Sequence, residues 1–153
     1  MSPLVRTSIR LQTAKGTDIS NYQEHEVDLS EYSKLELHKK NYPDARRRNN
    51  PISLYNCHGL VFASRRTWVQ GEDLGRVMVD DGYSGVAEKD VLPGDVVIYF
   101  EEGVPYHTGL VVSVRSDGGL QSIEVCSKWG HSAEFVHHVA RSPYGAIYKF
   151  FRI

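Results

Sequence analysis

From position 56 onward the hydrophobic positions follow first one period and then another. Leu60, Ala63, Ser64, Thr67 and Trp68 recur at helical spacing behind Asn56, a natural N-cap, and Gly71 supplies a stop. Leu74, Val77 and Met78 continue the helical pattern over 72–81, where Gly82 ends it. After the turn Leu92-Pro93-Gly94-Asp95 the period shortens. The apolar run Val96 to Phe100, the break Glu101-Glu102-Gly103 and the segment from about Tyr106 to Val114 predict two strands. Ser116-Asp117-Gly118-Gly119 turns the chain into a third strand, Leu120 to Ser127, and the aromatic-rich stretch Ala146 to Arg152 makes the last one. His137-His138 and Pro143-Tyr144-Gly145 read as a surface loop leading to it. Helices followed by sequential antiparallel strands specify an α+β domain, with the helices packed on one face of a β-meander.

Residues 1–50 differ from the rest. They are polar and mixed in charge, with Glu24, Glu26, Asp28 and Glu31 followed by Lys39, Lys40, Arg46, Arg47 and Arg48. A short helix over 29–40, with Tyr32 and Leu35 on one side and basic residues near its end, packs this extension on the core. Tyr42-Pro43-Asp44 stops it, and 46–51 reads as a loop. The main domain is therefore expected over 51–153.

Composition narrows the function classes. With 41% hydrophobic and 24% charged residues in 153, the chain has enough apolar material for a core of its own. A formal charge of -1 gives no case for a nucleic-acid or anionic-membrane partner, and Arg46 to Arg48 read as a solvated loop. Two cysteines are too few for a disulfide framework. The opening residues lack a signal-peptide core and no stretch approaches a membrane span, so a cytoplasmic location is expected. The spacing of Cys57, His58, His107, Cys126 and His131 fits no standard zinc site, and there is no glycine-rich phosphate loop, so no metal or other cofactor is expected.

The chemistry centres on Cys57, which follows the N-cap at the first turn of an amphipathic helix. Unpaired amides and the dipole there favour a thiolate, and the backbone N–H of Cys57 is available to an oxyanion. A cysteine nucleophile needs an imidazole from elsewhere in the chain, and His107 opens a strand in which Gly109, on the same face, leaves room beside it.

These residues carry a resemblance. Tyr55-Asn56-Cys57-His58-Gly59-Leu60-Val61 is similar to the nucleophile-bearing helix start of NlpC-type cell-wall peptidases, in which aspartate and serine stand where this chain has Asn56 and His58. Leu92-Pro93-Gly94-Asp95-Val96-Val97 resembles their proline-glycine-aspartate-leucine turn, and His107-Thr108-Gly109-Leu110-Val111 their histidine-valine-glycine-isoleucine strand. The three motifs come in the family's order and the resemblance covers about 55–129. It implies a compact papain-like, NlpC-related fold and a cysteine peptidase or amidase acting on a peptide or other amide through a Cys57 thioester, with His107 as general base.

The family also implies a polar third member on the strand after the histidine. In the related CHAP amidases a glutamate lies three residues before a tryptophan, which here matches Cys126. Glu124 shares a strand face with Cys126 by the period of two and is the choice for the role, with Cys126 and Ser127 as alternatives. Tyr55, Asn56 and His58 flank the nucleophile, and Lys128 and Trp129 suggest a substrate rim of one cation and one aromatic wall. His137 is a weaker candidate. The alternatives are a catalytically silent binding module on the same fold, and a toxin or defence effector using the same chemistry.

Overall fold

The computed structural model describes residues 6–153; Met1 to Val5, part of the stretch read above for a leader, lie outside the described residues. Its first half contains β1 (Arg6–Thr7), β2 (Asn21–Glu24), α1 (Ser30–Asn41), β3 (Arg46–Arg47), α2 (Cys57–Phe62), β4 (Trp68–Val69) and α3 (Leu74–Asp80). The second half is mostly strand: β5 (Ser84–Val86), β6 (Val96–Glu101), β7 (Val104–Asp117), β8 (Leu120–Lys128), β9 (Glu134–His138) and β10 (Tyr148–Arg152). Seven strands form an antiparallel sheet in the order β3-β9-β8-β7-β6-β10-β5, and β1-β2-β4 form a smaller one. The molecule is thus α+β and dominated by strands. No helix among the described residues is long and apolar enough to cross a membrane.

The meander β6-β7-β8-β9 follows from its turns. Glu102 and Gly103 (φ 51° and 78°) close β6 on β7, and Gly118 and Gly119 (φ 58° and 86°) close β7 on β8. Two successive positive φ values give the turn whose twist matches that of the flanking strands. The Leu92-Pro93-Gly94-Asp95 turn is tied down at both ends. The Asp95 carboxylate accepts from the Leu92 N–H at 2.8 Å and holds the Arg152 guanidinium at 2.7 Å through each oxygen, joining the entry of β6 to the end of β10. That cation holds the Asp95 carboxyl below its usual range.

Several elements depart from the sequence expectation. The helix expected to run on to Gly71 ends at Phe62, because Ser64 and Arg65 turn left-handed (φ 52° and 63°) and the Arg65 guanidinium reaches Glu134 at 2.7 Å. Trp68 goes to the small sheet instead, where it pairs with Tyr22. His137 and His138 lie in β9 and not in a surface loop, and His137 is buried. The N-terminal fifty residues are woven into the rest: β3 pairs with β9, and Ile19 packs with Ala63, Val69 and Val77. At the outer limits of the large sheet, β3 and β5 have only two and three residues.

Strand parity decides which side chains can meet. Leu110 pairs with Cys126, and Cys126 packs with Tyr55 and Leu60, so Leu110 and Cys126 point toward α2. Thr108 and Lys128, two residues along each strand, point the same way. His107 pairs with Tyr99, whose ring belongs to the core of Val97, Val111, Ile123, Val125 and Phe150 on the other face.

Candidate active site

The Asn56 side chain caps α2 by accepting from the Gly59 N–H at 2.8 Å. It also accepts from the Val69 N–H at 3.1 Å and donates to the Val69 carbonyl at 2.8 Å, so one carboxamide fixes both the helix start and β4. Asn56 is therefore structural where the sequence suggested substrate contact. The cap sets Cys57 over the sheet with 8% of its surface exposed. Its sulfur lies 3.6 Å from His58 Nδ1, and that nitrogen shares a 2.9 Å hydrogen bond with the Thr108 hydroxyl.

Burial pushes the Cys57 thiol up to about 11, against the pull of the Thr108 backbone and hydroxyl, the His58 N–H and the Lys128 charge. Burial pushes His58 down to about 4. The resting pair is accordingly a neutral thiol beside a neutral imidazole.

No hydrogen bond joins His107 to that thiol. By parity its ring turns to the opposite face, where it stacks on Tyr144 with centroids 3.4 Å apart and planes within 4°. It is 1% exposed and neither ring nitrogen has a hydrogen-bond partner. Burial, and behind it the charges of His58 and His137, holds its pKa well below the ordinary value.

Glu124 does not orient an imidazole either: its carboxylate lies 3.5 Å from Arg46 in β3. It does share a face with Cys126, as parity required, since they pair with His138 and Val136 on β9. That is the α2 face, away from the His107 ring. Of the two alternatives, Cys126 donates to Glu134 Oε1 at 3.4 Å and Ser127 bonds His137 Nε2 at 2.8 Å. Both cysteines are free thiols.

The expected substrate rim lies indoors. Lys128 is 0% exposed and Trp129 stacks on Phe135 at 4.0 Å, its indole N–H donating to the Ser127 hydroxyl at 3.1 Å. Tyr55 is buried with its hydroxyl on Glu134 and its ring 5.2 Å from the Lys128 ammonium. Glu134 also takes both arms of Arg65, at 2.7 and 3.1 Å, and anchors a buried network that the sequence did not single out. Thr108 was missed as well. Its signal was available in the parity of the strand that His107 opens.

Among the described residues no group of three or more His, Cys, Asp or Glu side chains is placed to hold a metal ion. No family model matches the chain, and neither the curated proteins nor the solved structures contain a match to it.

Proposed function

We propose that the protein is a cysteine hydrolase, built on a papain-like, NlpC-related plan, that cleaves an amide bond through a thioester on Cys57. His58 stands in the place that the sequence assigned to His107. The observation that carries this reading is the convergence of the Cys57 sulfur, the His58 Nδ1 at 3.6 Å and the Thr108 hydroxyl at 2.9 Å from that nitrogen. Thiol and imidazole are both neutral at rest, so the proton moves to His58 as the sulfur attacks the carbonyl, and not beforehand. His58 then returns it to the leaving amine, and water opens the thioester. At rest the Thr108 hydroxyl donates to Nδ1 and positions the ring; it turns to accept from the same nitrogen once the proton has arrived there.

A silent binding module is the second reading, favoured by the burial of the thiol and its high pKa. Mass spectrometry of peptide and peptidoglycan-fragment libraries separates the two. The wild type is expected to release products and Cys57→Ala none. His58→Gln should slow release by about a hundredfold or more, the range typical of losing a general base. His107→Phe should leave it within a few fold. A wild type that cleaves nothing supports the silent module, and a dead His107→Phe beside an active His58→Gln returns the base to His107.

A further inference from the structure

Lys128 presents a problem of charge balance. Its ammonium is fully buried, and among the described residues its one hydrogen bond goes to the Gly130 carbonyl at 2.6 Å. The Tyr55 ring, 5.2 Å away, adds only a cation–π contact. A buried cation is tolerated when a counter-charge faces it. Two carboxylates act on Lys128, Glu134 from β9 and Glu31 from α1. Glu134 is already held by Arg65 at 2.7 Å, and Glu31 by Lys34 at 2.8 Å. On the same face of the sheet as Lys128 stands Thr108, whose hydroxyl lies 2.9 Å from His58 Nδ1, itself 3.6 Å from the Cys57 sulfur, and Cys57 is the remaining ionisable neighbour that acts on Lys128.

We infer that Lys128 is the built-in counter-cation of Cys57, a positioning residue that stabilises the thiolate by charge across the sheet face beneath α2. This rests on the reading of Cys57 as the nucleophile and replaces the role of Lys128 as a substrate-binding rim. The groups bearing on Cys57 are Lys128, His58 from α2 and the Tyr144 phenol, and only Lys128 carries positive charge near neutral pH. Burial pushes Lys128 down to about 8, so the ammonium is present at pH 7 and fades as the pH rises.

That fading gives the device a signature which packing alone does not produce. Iodoacetamide alkylation of Cys57 is measured relative to Cys126 in the same molecules, by mass spectrometry of the two peptides. Cys126, buried and also pushed up to about 11, serves as internal reference for any loosening of the fold. In Lys128→Met the Cys57 to Cys126 ratio is expected to fall about tenfold at pH 7, the equivalent of one pKa unit, and to converge with the wild type above about pH 9. An unchanged ratio, or a difference that is the same at every pH, overturns the inference.

The wild type alone provides a second measurement should Lys128→Met fail to fold. Its Cys57 rate should climb less than about tenfold per pH unit between pH 8 and 9, while that of Cys126 climbs the full tenfold; equal slopes overturn the inference. Alkylation needs no substrate, so a positive result without amide cleavage retains the thiolate pair and removes the hydrolase. Cleavage with an unshifted profile does the reverse.

Discussion

Below about pH 6.5 the protein is expected to lose stability steeply, by up to about 1.4 kcal/mol per pH unit for each of three buried imidazoles. His58 and His137 are pushed down to about 4 and His107 well below its ordinary value, in each case chiefly by burial. A chain unfolded at pH 5.5 protonates all three, because the free imidazole titrates near 6.5, while the folded chain keeps them neutral. The unfolded state therefore binds more protons. Stability is fully present above about pH 6.5 and drains away as the pH falls toward the folded values. Urea unfolding at pH 7, 6 and 5 measures this slope. His107→Phe should reduce it by about a third, since one imidazole of the three is gone. The same variant should gain about 1 kcal/mol or more at pH 7, because it removes two ring nitrogens that are buried without partners and keeps a ring against Tyr144. A flat stability profile over this window would mean that the imidazoles are not buried as described.

Gly59→Ala is expected to destabilise the fold by about 3 kcal/mol or more, at the upper end of what overpacking costs. Alanine in place of a helical glycine ordinarily gains up to about 1 kcal/mol, so the expected sign is opposite to the helix propensity. A Cβ on Gly59 would sit 1.7 Å from the Thr67 carbonyl oxygen and 2.9 Å from its carbon. That carbonyl cannot retreat cheaply, because the one proton of the Thr67 hydroxyl is shared between Asn21 Oδ1 and the Tyr22 carbonyl and ties the segment to β2. The helix must then lift, taking the seat of Cys57 with it. Chemical denaturation of the variant tests the size of the effect, and iodoacetamide labelling of Cys57 should accelerate as the thiol is uncovered. A variant as stable as the wild type would show that α2 and the 67–68 segment do not approach so closely.

Much of the strand half could be read from the residues, because its turns carry their own chemistry. Gly118 and Gly119 mark a hairpin by backbone freedom, and Asp95 marks a turn by bonding back to Leu92. The Asn56 cap was equally local, and the structure places it as expected. The rest depended on partners distant in sequence. Arg65 leaves the helical path for Glu134, sixty-nine positions on, and no periodicity in 56–71 contains that ion pair. His137 reads as part of a surface loop leading to the last strand; its burial comes from Ser127 and from the strand it pairs with. That no hydrogen bond joins His107 to Cys57 has a simpler ground. The motif places a histidine at the start of a strand, but whether its ring meets the helix or the opposite core is decided by a register with β6 and β8 that one strand does not reveal.

The limits of the large sheet bear on how the protein behaves among its own copies. A long bare strand flank is a template on which a second chain can add its own strand, which is the first step toward fibrous aggregates. Here β7 is shared between two partners, residues 104–110 pairing with β6 and 110–117 with β8, and the outermost strands of the sheet are the two arginines of β3 and the three residues of β5. The first repels an identical chain by charge, and the second is too short to seed a ladder. At its two outer limits, therefore, the sheet gives a second copy of the chain little to pair with.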